Sequence, residues 1–74
     1  MTENKTLLAI RVNGKAAETQ AVTISDLLAE RGLDITRPGI AVAVNRKVVP
    51  RAAWPNTPLA PQDEIEIVQP FSGG

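Results

Sequence analysis

The sequence predicts a two-layer α+β fold, a mixed β-sheet with one main helix packed on one face. Three observations carry that expectation. Asn13-Gly14 separates two strand-like segments, a single capped amphipathic segment opens at Thr23, and two further strand-length apolar runs follow it. With only one helix available, the opposite sheet face has no second layer to cover it.

Thr6 to Val12 reads as the first strand, with Leu8, Ile10 and Val12 on one face by period-two alternation. Asn13-Gly14 is the strongest short hairpin signal, because both residues tolerate the positive φ of a type I′ turn. The chain then returns as a strand over Lys15 to Val22. Thr23 is placed to cap a helix and Asp26 to complete a variant capping box, with Ser25 a rival cap one register later. Ile24, Leu27 and Leu28, with Arg31 on an adjoining position, give that helix one apolar stripe. Gly32 fits the position that ends it, Leu33 and Ile35 pack after the stop, and Pro38-Gly39 is a breaker.

Ile40 to Asn45 is an apolar run of strand length, expected to be a central strand buried on both faces. Asn45-Arg46-Lys47 turns it into a short Val48-Val49 segment, which Pro50 halts by removing a donor. The stretch through Pro55, Pro58 and Pro61 predicts a rigid irregular connection around Trp54 and Leu59. In the last strand, Glu64 to Val68, Ile65 and Ile67 face in while Glu64 and Glu66 face out. No repeats, low-complexity segments or second domain interrupt this order, so residues 1–74 read as one domain. Met1 to Lys5 are expected to be a disordered extension or a chosen start site, and 70–74 an extended flexible tail.

Composition narrows the chemistry. Eight basic and eight acidic residues cancel, which argues against general nucleic-acid binding. The chain has no Cys and no His, so it lacks disulfides, thiolate nucleophiles and a side chain that titrates unperturbed near neutrality. No Asp/Glu cluster has ligand spacing, so no metal site is expected. No stretch approaches the ~20 apolar residues of a membrane span. Met1 to Thr6 does not read as a secretory signal, so a cytoplasmic chain is expected. These side chains suit a carrier or adaptor, not an enzyme.

The chemistry is at the end of the chain. Gly73-Gly74 places an α-carboxylate on unobstructed backbone that can thread a narrow channel in a partner. Phe71 to Gly74, fully extended, would reach about 13 Å at ~3.3 Å per residue.

At residue level the chain resembles the bacterial sulfur carriers of thiamine thiazole synthesis (ThiS-like), members of the ubiquitin-like β-grasp family. The matching pieces begin with Val12-Asn13-Gly14, Thr23-Ile24-Ser25-Asp26-Leu27-Leu28 and Ala43-Val44-Asn45. They continue with Val49-Pro50-Arg51-Ala52-Ala53-Trp54, Asp63 to Val68 and the terminal Gly73-Gly74. The similarity covers nearly the whole chain after the first five residues. Pro-Arg-x-x-Trp followed by the acidic strand and Gly-Gly is its specific part. One departure is Gln62-Asp63, where the family usually has Gly-Asp, so Gln stands at a position suited to positive φ.

The resemblance implies a protein cosubstrate whose partners hold all the catalytic groups. An E1-like activating enzyme with ATP and Mg forms an acyl-adenylate on Gly74. A persulfide sulfur from a cysteine desulfurase relay displaces AMP and leaves a thiocarboxylate, which thiazole synthase accepts. On this reading the chain binds no cofactor itself. Gly74 carries the sulfur, Gly73 gives the unbranched approach, and Ser72 and Phe71 sit at the channel mouth. Trp54, Arg51, Glu64 and Glu66 are candidate partner contacts, each weighed against a plain role in packing, loop bonding or solvation. The small subunit of molybdopterin synthase and carriers serving other sulfur metabolites are neighbouring readings. A ubiquitin-like modifier and a β-grasp interaction module with incidental glycines are readings of other classes.

Overall fold

The computed structural model describes residues 7–70. The expected helix-on-sheet design is present. β1 (Leu8–Val12) and β2 (Lys15–Thr19) form an antiparallel hairpin in which Val12 pairs with Lys15 and Leu8 with Thr19. The two turn residues have φ of 51° at Asn13 and 82° at Gly14, the signature of a type I′ turn.

α1 (Ile24–Glu30) begins at Thr23, not at Ser25. The Thr23 hydroxyl accepts from the Asp26 amide at 3.2 Å, and the Asp26 carboxylate accepts in return from the Thr23 amide at 3.2 Å. Such reciprocal caps stabilise a helix by about 1 kcal/mol. At the other end the Gly32 and Leu33 amides donate to the Ala29 and Leu28 carbonyls, both at 2.9 Å, closing a Schellman motif.

β3 (Ala41–Val44) and β4 (Lys47–Val49) form a second hairpin, and β5 (Glu64–Val68) completes a sheet of order β2-β1-β5-β3-β4. β5 is parallel to β1 and antiparallel to β3. As expected for Ile40 to Asn45, β3 is an interior strand, flanked by β5 and β4. The expectation of burial on both faces requires correction: Val42 is buried, Ala43 and Val44 are half-buried, and Ala41 is exposed. The run looked doubly buried because its open-face positions are alanines, which are apolar but small.

The β3–β4 turn, Asn45-Arg46, has φ of 52° and 72°, again the type I′ form. Arg46 therefore stands where the turn prefers Gly, in a left-handed conformation that costs a side-chain-bearing residue about 1–2 kcal/mol. Glycine recovers that cost less its own flexibility penalty. Arg46→Gly is expected to stabilise the domain by about 0.5–1 kcal/mol and raise Tm by about 3–5 °C. Thermal melts followed by circular dichroism check this. Gln62 has a φ of 71°, the positive value its position in the sequence suggested.

Residues 51–61, expected to be rigid but irregular, include a regular element. Arg51–Asn56 is a 3₁₀ helix packed against α1. Thr57 accepts from the Ile24 amide at 3.1 Å and Leu59 donates to the Val22 carbonyl at 2.9 Å, pinning the segment to the helix start. The core lies between sheet and helices. Ile10, Val12, Ile65, Ile67 and Val42 come from the sheet, Ile24, Leu27 and Leu28 from α1, and Trp54 and Leu59 from the connection.

Candidate functional site

β5 carries the chain from the centre of the sheet toward its C-terminus. The β1–β5 ladder is short, pairing Arg11 with Glu64 and Val12 with Ile65. The Asn13 side chain lengthens it. Its Oδ1 accepts from the Ile67 amide at 2.8 Å and its Nδ2 donates to the Ile67 carbonyl at 3.2 Å, as a backbone peptide would. The hairpin residue therefore fixes the strand three residues before the described chain ends. The sequence signals the turn at Asn13 but not this long-range bond, which has no local signature.

Beyond β5, Gln69 and Pro70 are exposed at the surface, beside the loop that follows α1. Gly32, Leu33, Asp34, Arg37 and Ile40 line a shallow depression with Gln69 and Pro70. Gly39, at φ 92°, lies so close to Pro70 that a Cβ there would meet the proline Cγ at 3.2 Å and Cβ at 3.3 Å. The Asp34 carboxylate organises the loop. It accepts from the Thr36 hydroxyl at 2.6 Å and the Thr36 amide at 3.0 Å. These bonds hold its pKa below the ordinary value, with Arg37 and then Arg51 adding smaller electrostatic contributions.

Arg51 reaches the same loop from the start of the 3₁₀ helix. Its Nη1 donates to the Ile35 carbonyl and its Nη2 to the Arg37 carbonyl. The guanidinium lies over the Trp54 ring, 4.6 Å from the centroid. Of the two roles weighed for Arg51, its visible contacts are those of loop bonding. Trp54, a candidate partner contact, requires correction: it is only 2 % exposed and its Nε1 donates to the Val49 carbonyl at 2.9 Å. A ring so enclosed, with its one donor satisfied, serves the core and offers no anchor to a partner.

Glu64 and Glu66 do face the open side of the sheet, opposite Ile65 and Ile67. They are not an isolated acidic patch. Arg11 and Arg46 line a depression together with both carboxylates, so the local charges balance. On the other side of β5, register sets Val68 beside Ala41, and Val48 beside Ala43, with Val48 77 % and Val68 61 % exposed. The open face thus has a charged half and an apolar half. No three metal-ligating side chains converge among the described residues, and no helix of the described chain is long and apolar enough to cross a membrane. Phe71, Ser72, Gly73 and Gly74 lie outside the described residues, as do Met1 to Lys5.

Comparison with known proteins gives a consistent picture. A crystal structure of a thiamine biosynthesis protein (ThiS) from Geobacter metallireducens superposes with a TM-score of 0.74. It shares 23 % sequence identity over 90 % of this chain and 100 % of that one, a likeness that establishes the β-grasp fold. A search of curated proteins found no match. The ThiS family model matches residues 5–74, a span that runs through the acidic strand to the terminal Gly73-Gly74. The chain belongs to the ThiS family.

Proposed function

We propose that this chain is a sulfur carrier of thiamine biosynthesis whose working group is the α-carboxylate of Gly74. The observation that supports this most directly is the family match, which continues through the tail to residue 74. The geometry is compatible with it. The described chain reaches the surface at Pro70, and Phe71-Ser72-Gly73-Gly74 span up to about 13 Å beyond, enough to enter a partner's active site.

A carboxylate is a poor electrophile, so the chemistry begins with activation. An E1-like adenylating enzyme, using ATP and Mg, joins the Gly74 carboxylate to the α-phosphate and releases pyrophosphate. The terminal sulfur of a protein persulfide, charged by a cysteine desulfurase, attacks the acyl carbon and AMP leaves. A thiol then cleaves the resulting acyl disulfide, supplying two electrons and leaving the thiocarboxylate. Thiazole synthase takes that sulfur and the Gly74 carboxylate is regenerated. The carrier is then a recycled cosubstrate in the cytoplasm and does no catalysis of its own. Phe71 and Ser72 stand at the channel mouth, and Glu64 and Glu66 on the open face are available to a docking partner.

Intact mass after incubation with the cognate activating enzyme, MgATP and a persulfide donor tests this reading. The expected result is a gain equal to one oxygen replaced by sulfur, localised to Gly74. Adenylation followed by attachment to lysines of other proteins would instead make the chain a modifier. Absence of adenylation would make the glycines incidental.

A further inference from the structure

The Pro50-Arg51-x-x-Trp54 segment is the most specific internal motif of the chain, yet sulfur carriage as set out above gives it no task. Its contacts connect two places that chemistry would need to keep in register, the core and the root of the tail. Trp54 is fixed in the core, and Arg51 lies over its ring with both guanidinium nitrogens on carbonyls of the 34–38 loop. A guanidinium fork bonds two carbonyls in one plane and so sets the loop's position as well as its distance. That loop ends at Gly39, which packs directly under the Pro70 ring. A side chain at Gly39 would sit at a left-handed φ of 92° and press the Pro70 ring back by a few tenths of an ångström, and the φ of Pro70 is itself locked by that ring. The last described residue is thus held from two sides, by its ring geometry and by a loop clamped to the core.

From this juxtaposition we infer that Arg51 and Pro70 are positioning residues. The Arg51 clamp presents Gly39 as a seat for Pro70, and the seated proline fixes the point from which the last four residues start. The inference rests on activation of Gly74. It makes the carrier's productive encounter with its activating enzyme depend on a fixed root at residue 70. A root with φ locked and its ring seated forfeits less conformational entropy when the chain beyond it enters a channel than a root that pivots freely. Loss of the seat therefore raises KM for the carrier and leaves kcat little changed, because the reacting glycine and its enzyme contacts are untouched.

The test uses the full chain with Pro70→Ala, Arg51→Met and the double variant. Carrier-dependent pyrophosphate exchange gives kcat and KM, and nuclear Overhauser contacts between the Gly39 α-protons and the residue 70 side chain report the seat. Freeing one backbone position predicts that Pro70→Ala raises KM about five- to ten-fold with unchanged Tm. Arg51→Met is expected to raise KM similarly and to erase the Gly39–Pro70 contact. The double variant should be no worse than the worse single, since both act through one seat. Arg51→Lys, which can reach one carbonyl, should recover part of the loss. Additive effects, a KM rise in Arg51→Met with the Gly39–Pro70 contact intact, or wild-type KM in Pro70→Ala would overturn the inference. Adenylation of the wild-type chain is the control. Its failure would count against the sulfur-carrier reading, whereas active but indistinguishable variants would count against the seat alone.

Discussion

Deletion of Gly73 and Gly74 is expected to abolish adenylation and sulfur loading while leaving the unfolding midpoint unchanged. The two halves of that result have separate causes. Every buried apolar side chain of the described core lies between Ile10 and Ile67, and the last residue of β5, Val68, is in register with Ala41. Removing the final two residues therefore takes nothing from the core or the ladder of the described residues. The activity loss is complete because the truncated chain ends on Ser72, whose carboxylate is two residues short, roughly 7 Å, of the acyl-transfer position. A graded series sharpens the point. Gly74→Ala keeps the length and adds one methyl group beside the reacting carbon, and displacements of about 1 Å can cost about 100-fold in rate. Gly74→Phe should show no turnover at all. Pyrophosphate exchange measures the first step, intact mass the second, and a urea melt the fold. Normal turnover by Gly74→Phe would remove the channel-threading argument, whatever the melt shows.

Much of this molecule is written locally and was legible for that reason. Asn13-Gly14, the Thr23–Asp26 box and Gly32 each act within a few residues, and all three stand where the sequence placed them. Period-two alternation gave β5 its correct faces, and the Gln62 departure carried its own signal, a side chain at a turn position that wants positive φ. The misreadings concern features that depend on distant partners. An apolar run cannot report what covers each of its faces, so the interior position of β3 was legible but its open face was not. Four prolines suggested irregularity, but a 3₁₀ helix tolerates Pro55 and needs few consecutive amide donors, and the segment's order comes from bonds to Val22 and Ile24. The tail's chemistry is legible because it is covalent and terminal. The seat of Pro70 on Gly39 is not, because Pro38-Gly39 reads equally well as simple punctuation.

Trp54→Ala is expected to unfold the domain or nearly so. The ring is the largest fully buried side chain and lies in the same core as α1, whose helix packs against the segment that carries it. Truncating a buried Trp to Ala costs about 3–5 kcal/mol. At ~0.05–0.15 kcal/mol per residue, a chain of this length has only about 4–11 kcal/mol of stability in total. Two further losses follow from the geometry. The Val49 carbonyl loses the indole donor, and the Arg51 guanidinium loses the face it rests on. Trp54→Phe separates these effects, since it retains most of the volume but cannot bond Val49. That variant should fold, with stability lower by about 1–3 kcal/mol. A partner hot spot predicts the reverse pattern: near-normal stability and weakened binding, because the lost contacts would lie across an interface. Urea melts of both variants, with binding of Trp54→Phe to the activating enzyme measured well below its midpoint, decide between the two. Melting midpoints that fall in the order wild type, Phe, Ala, with unchanged affinity for the folded Phe variant, are the result the buried indole requires.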